Sequence, residues 1–146
     1  MKVRFTDFKS EFVSLEKDLI NSFKNIGRKG SYILGKELKI FENKVKKFLG
    51  ANYVLGVGNW TEGMVMLCRA LNFNNNDEII TVSNSFIATC GAISYAGCKP
   101  VLVDVDETLN MNSNLLEEKI TKNTKAIMPV HLSGIPAEID QIKRIC

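Results

Sequence analysis

The residues best placed for chemistry lie in three short polar stretches, each at the end of an apolar run. Gly58-Asn59-Trp60-Thr61-Glu62-Gly63 follows Tyr53–Val57, Ser83-Asn84-Ser85-Phe86 follows Glu78–Val82, and Pro129-Val130-His131-Leu132-Ser133-Gly134 closes Lys125–Val130. In an open parallel sheet, ligands bind beyond the carboxyl ends of the strands, which is where such stretches fall. In the first, Asn59 or Thr61 is a helix N-cap, and the free backbone N–H groups of a helix start suit an anion such as phosphate. An ordinary cap without ligand is the plain alternative. Phe86 stands at a strand-to-helix junction, where core packing is the plain reading. His131 is the only histidine, and a lone histidine is more often structural than catalytic. Asp104 and Asp106 alternate on one side of a strand end and suggest paired carboxylates or a metal, but no third ligand is in view. Asn59-Trp60-Thr61 also spells a glycosylation sequon, which a cytosolic chain would not use.

The elements that position these stretches follow from periodicity. Phe8, Phe12, Leu15, Leu19 and Phe23 recur at helical intervals over residues 7–26, which predicts an amphipathic helix that breaks at Gly27-Arg28-Lys29-Gly30. A glycine-bounded loop, Gly30–Gly35, leads to a second helix over 36–49, and Gly50 stops it as a C-cap. From Tyr53 the rhythm changes. Strands are expected at Tyr53–Val57, Glu78–Val82, Pro100–Val105 and Lys125–Val130. Helices are expected at 61–71, 85–96 and 113–120, with one more beginning at Ala137, and Asn72–Asp77 is a turn cluster. Strand and helix alternating at intervals of about 22–25 residues is the pattern of βαβ units and a parallel sheet. The fold class is therefore α/β with a helical N-terminal arm, residues 1–50, and a sheet domain, 51–146. The strand Lys125–Val130 is apolar on both faces. Such strands are internal to a parallel sheet, so either it pairs between earlier strands or a neighbour lies outside this chain.

Composition narrows the function classes. The chain has 146 residues, 45% hydrophobic and 24% charged, which is globular rather than disordered. No apolar run approaches the ~20 residues of a membrane helix, and the charged start MKVRFTDFKSEF does not resemble a signal peptide, so a cytoplasmic location is expected. A net charge of +3 is too small to argue for nucleic acid; the Lys44, Lys46, Lys47 cluster reads as a solvated helix face. Cys68, Cys90, Cys98 and Cys146 show no CxxC spacing and read as reduced, mostly buried thiols, with no zinc site or disulfide framework expected.

Taken together, the motifs resemble one family. They run in order as Gly30-x-Tyr32-x-Leu34-Gly35, Phe41-Glu42, Gly56-Val57-Gly58-Asn59-x-Thr61-Glu62-Gly63, Asp77-Glu78-Ile79-Ile80-Thr81, Ser85-Phe86-x-Ala88-Thr89, Gly97-x-Lys99-Pro100-Val101-x-Val103-Asp104-Val105-Asp106 and Lys125-Ala126-Ile127-x-Pro129-Val130-His131-Leu132-x-Gly134-x-Pro136-Ala137. This set is similar to the DegT/DnrJ/EryC1/StrS aminotransferases, fold-type-I enzymes that use pyridoxal 5'-phosphate to aminate nucleotide-linked keto sugars. The resemblance spans about Phe5 to Cys146. It implies that 51–146 is an incomplete pyridoxal-phosphate-binding large domain with a mainly parallel α/β/α sheet. It places the cofactor phosphate at Trp60, Thr61 and Glu62, with Trp60 where the family has glycine, and the pyridine ring on Phe86. It puts His131 near the cofactor without a chemical role, and Tyr32, in the Gly30–Gly35 loop, near the sugar nucleotide and the dimer interface.

The same resemblance implies that no catalytic residue lies in this chain. The lysine that forms the Schiff base and the aspartate that pairs with the pyridine nitrogen fall beyond Cys146 in the family's order, and Lys99 and Lys125 precede strands, at the wrong end of the sheet. The expectation is thus a fragment, inactive alone, of a homodimeric sugar aminotransferase with an amino-acid donor such as glutamate, serving amino-sugar or polysaccharide biosynthesis. The alternatives are a non-catalytic or lyase-like relative, or one half of a split enzyme that needs a second chain. A plain nucleotide-binding Rossmann module is disfavoured, because Gly56-Val57-Gly58-Asn59-Trp60-Thr61 lacks the third glycine of the fingerprint.

Overall fold

The computed structural model describes residues 5–146; the first four residues of the expected 1–50 arm lie outside the described residues. The chain forms two compact units that divide between Gly56 and Val57.

The first unit carries two helices, α1 (Phe8–Lys29) and α2 (Lys36–Leu49). The Asp7 carboxylate caps α1 by accepting the Ser10 N–H at 3.4 Å. The helix runs through Gly27 to Lys29, three residues past its expected end at residue 26, and is capped by Gly30, the last residue of the expected break. The reason is conformational: Gly30 takes the left-handed φ of 62° that closes the helix, and its N–H donates to Gly27 O. Gly50 closes α2 in the same way at φ 63°. The expected strand Tyr53–Val57 does not form. A strand exists only through a paired neighbour, and here the Gly56 N–H donates instead to the Glu42 carboxylate at 2.9 Å, while Tyr53 is left 93% exposed.

The second unit is a parallel sheet with helices on it. Its strands are β1 (Glu78–Val82), β2 (Lys99–Val103) and β3 (Thr124–Met128); its helices are α3 (Trp60–Ala70), α4 (Ala88–Tyr95) and α5 (Ile139–Ile145). The spatial order is β2-β1-β3, all parallel. The central strand is apolar on both sides, and its side chains alternate as the pleat requires. Ile79 packs with Cys68 of α3, Ile93 of α4 and Cys98 on one face. Ile80 and Val82 pack with Val103, Met111, Leu116 and Ile142 of α5 on the other. The Thr81 hydroxyl spends itself on the Met128 carbonyl of β3, at 2.8 Å.

The apolar β3 is an edge strand, with no neighbour on its outer side among the described residues, the second of the two arrangements open to it. Two expectations change here. The helix expected over 113–120 is two 3-10 turns, Ser113–Leu115 and Glu117–Lys119. Asn112 caps the first by accepting the Asn114 N–H, and a segment this short and rich in Asn and Ser gains too little from propagation to repay α-helix nucleation. The expected strand to Val105 ends at Val103; beyond it the chain turns, and Val105 pairs in an isolated antiparallel bridge with Met111.

Burial sorts the cysteines. Cys68 and Cys98 are buried, Cys90 is half-buried and Cys146 exposed. Desolvation pushes both buried thiols above the ordinary thiol range. A thiol-alkylating reagent at pH 8 should modify Cys146 first and leave Cys68 and Cys98 unmodified until denaturant is added. Mass spectrometry of the peptides checks this, and prompt labelling of Cys68 in the native protein would refute the packing described.

Candidate functional site

The carboxyl ends of β1 and β3 and the N-terminus of α3 enclose a crevice of about 640 Å³. Three local structures build it. The Asn59 side chain caps α3 by accepting the Glu62 N–H at 2.9 Å. That leaves the first-turn N–H groups of Trp60 and Thr61 without a partner among the described residues, as expected at a helix start. After β1, the Ser85 and Thr89 hydroxyls bond to each other at 2.7 Å. Thr89 is buried, 4% exposed, so this pair ties the turn before α4 to its first turn. The link delays α4 to Ala88, three residues after the expected Ser85 start, and Phe86 is held out of the core with 77% of its surface exposed.

After β3, the chain runs through His131 into a 3-10 turn at Leu132–Gly134. The buried side chain of Asn110 pins this loop. Its Nδ2 donates to Ile135 O at 3.1 Å and Pro136 O at 3.4 Å, and its Oδ1 accepts the Leu132 N–H at 3.0 Å. The His131 Nδ1 accepts the Ala137 N–H at 3.0 Å.

Of the residues singled out from the sequence, Trp60, Thr61, Phe86 and His131 line the crevice. Glu62 does not: its N–H is consumed by the Asn59 cap, and its side chain lines a neighbouring cavity with Arg69 and Tyr95. Tyr32 lies in the first compact unit, 69% exposed on the loop before α2. Asp104 and Asp106 serve their own turn. Asp104 accepts from the Val105 N–H, and Asp106 accepts from the Thr108 hydroxyl and N–H, bonds that lower its carboxyl below the usual range. No cluster of three metal-ligating side chains occurs among the described residues. Not anticipated were Asn110 and the bond between Ser85 and Thr89, two residues of one motif. The i,i+4 spacing of the pair was a usable signal; Asn110 offered none, since its partners lie 22–26 residues away.

Chemically, the crevice offers unpaired N–H donors at a helix start, a bare aromatic face and an imidazole, and no acidic side chain among the described residues lines it. That set suits a flat ligand carrying an anionic group and would repel neither its phosphate nor its ring. The residues present are therefore compatible with a phosphorylated aromatic cofactor such as pyridoxal 5'-phosphate.

The fold and this crevice define an open parallel α/β protein of the class that takes a ligand beyond its strand ends. Comparison with known proteins narrows the class. The chain belongs to the DegT/DnrJ/EryC1/StrS aminotransferase family, whose model matches residues 13–146. It is 38% identical over 144 residues to dTDP-3-amino-3,6-dideoxy-alpha-D-galactopyranose transaminase of Aneurinibacillus thermoaerophilus, covering 98% of this chain and 40% of that protein. The crystal structure of DesV from S. venezuelae superposes with a TM-score of 0.94 at 30% identity, over 99% of this chain and 39% of that one. The E. coli GDP-4-keto-6-deoxy-D-mannose-3-dehydratase, solved with bound hydrated PLP, superposes with a TM-score of 0.76 at 28% identity, over 86% of this chain and 34% of that one. The chain thus spans about 40% of the length of the curated relative it matches. Pyridoxal or pyridoxamine phosphate is the cofactor of the family, and some of the solved relatives hold it.

Proposed function

We propose that this chain supplies the phosphate and ring subsites of a pyridoxal-phosphate-dependent aminotransferase that acts on a nucleotide-linked keto sugar. The observation that carries the reading is the exposed Phe86 ring in one crevice with the unpaired N–H groups of α3. In this reading Trp60 and Thr61 hold the cofactor phosphate through backbone N–H groups and the Thr61 hydroxyl, and Phe86 covers one face of the pyridine ring. Glu62 contributes through its place in the capped first turn, not by contact. When bound, the cofactor supplies an electron sink for the carbon that loses its proton. The chain's own work is to orient the ring and exclude water from one side of it.

The proposal extends to the whole protein. Residues 1–50 are a helical arm with Tyr32 near the sugar nucleotide, and 51–146 are part of the cofactor-binding large domain. The Schiff-base lysine and the pyridine-pairing aspartate are outside these residues, so the 146 residues alone do not transaminate. The active form is a cytoplasmic homodimer with an amino-acid donor, glutamate in the simplest case. Similarity to a PLP-containing dehydratase favours a lyase-like second reading. Product analysis separates the two, since only a transaminase leaves donor nitrogen on the sugar.

Pyridoxal 5'-phosphate titrated into the native protein should bind, and Phe86→Ala should weaken binding about tenfold, the value of a ring-stacking contact of roughly 1–1.5 kcal/mol. A native protein that does not take up the cofactor, or a Phe86→Ala variant that binds as tightly, would overturn the assignment.

A further inference from the structure

We infer that His131 is a cofactor-binding residue, a neutral imidazole whose Nε2–H donates a hydrogen bond to an oxygen of the bound pyridoxal phosphate. The inference rests on the cofactor reading above and adds to it a role that geometry dictates. His131 lines the crevice, and its Nδ1 accepts the Ala137 N–H at 3.0 Å. An imidazole nitrogen that accepts a hydrogen bond carries no proton, so in the neutral ring the proton sits on Nε2. The donor Ala137 is buried, 5% exposed, so its N–H has little access to water and keeps to Nδ1. Nε2 has no partner among the described residues.

One ring orientation is set by the Ala137 bond. The backbone that carries the ring is held at Leu132, Ile135 and Pro136 by the buried Asn110 amide, and turning the ring over would put Cδ2–H where Nδ1 accepts and leave the Ala137 N–H without its acceptor. The crevice is therefore offered a single donor at a set position. A donor without acceptor capacity selects an oxygen, and pyridoxal phosphate has oxygens on its ring and on its phosphate.

Two variants separate the two nitrogens. His131→Asn places a side-chain carbonyl where Nδ1 accepts, so it retains the Ala137 bond and loses the crevice donor. His131→Gln reaches the Nε2 position with an amide N–H and gives up the Ala137 bond. The first measurement is long-range ¹H–¹⁵N NMR of the native protein labelled at histidine, with the His131 signal assigned by its loss in His131→Asn. The expected pattern is an unprotonated Nδ1 and a protonated Nε2, with the Nε2 signal moving when pyridoxal phosphate is added. The second is cofactor affinity: His131→Asn should bind about tenfold more weakly, the effect of losing one charge-assisted hydrogen bond, and His131→Gln should keep most of the affinity.

A proton on Nδ1, an Nε2 signal that saturating cofactor leaves unmoved, or wild-type affinity in His131→Asn would overturn the inference. Failure of the native protein to bind the cofactor would sink the functional reading and the ligand assigned to His131. The tautomer, read without cofactor, decides the geometry independently.

Discussion

Asn110→Ala lowers the stability of the sheet unit by about 3 kcal/mol, the cost of stranding several buried polar groups at once. The Asn110 side chain is 1% exposed and meets the Leu132 N–H and the Ile135 and Pro136 carbonyls. Alanine leaves all of these without their partner and opens a cavity the size of an amide. Asn110→Asp keeps the acceptor for Leu132 but sets a carboxylate against two carbonyls, so it does not rescue. Urea denaturation of the native protein, followed by the loss of helical circular dichroism, measures the difference. Amide exchange at Leu132 localises it, since that N–H should lose protection beyond the global change. A loss below about 1 kcal/mol would mean that water replaces the side chain without cost and that the loop is not held as described.

Ile80→Ala is the second large effect, about 3–4 kcal/mol. Ile80 is 0% exposed on the central strand and packs with Val82, Val103, Met111, Leu116 and Ile142. These neighbours come from β1, β2, the segment after β2 and α5, so the void cannot collapse by shifting one element. Ile80→Val, which removes one methylene, should cost about 1 kcal/mol. The ratio of the two losses, read from denaturation midpoints at unchanged slope, is the check. Equal losses would place Ile80 against a face that relaxes. Both substitutions lie outside the crevice lining, so cofactor affinity at low temperature should stay within about twofold in the folded fraction, which separates them from Phe86→Ala.

Much of this protein was legible in its residues because the physics involved is local. The helix over 36–49 forms as expected, since an apolar stripe ending in a glycine able to take φ 63° is all the chain needs to begin and stop it. The three described strands lie where continuous apolar runs placed them, within a residue or two. Three of the four junction residues expected at the cofactor site, Trp60, Thr61 and Phe86, line one crevice with His131, because parallel strands put all their carboxyl ends on one side. The family followed from the order of those motifs and is the one to which the chain belongs.

What sequence alone could not decide depends on which segments meet. Tyr53–Val57 has the composition of a strand, but a strand is a pairing, and its Gly56 N–H is taken by Glu42. The apolar run of β3 left two places open to it, between strands or beside one outside this chain, and the order β2-β1-β3 puts it at an edge. Glu62 sits in the right motif, and helix geometry turns its side chain toward a different cavity. The fixed nitrogen of His131 and the grip of Asn110 on its loop rest on hydrogen bonds 6 and 22–26 residues apart in the chain. No periodicity encodes such contacts. Local pattern determined which segments become helix or strand and which junctions carry the chemistry; tertiary packing alone decided which donors those junctions leave free.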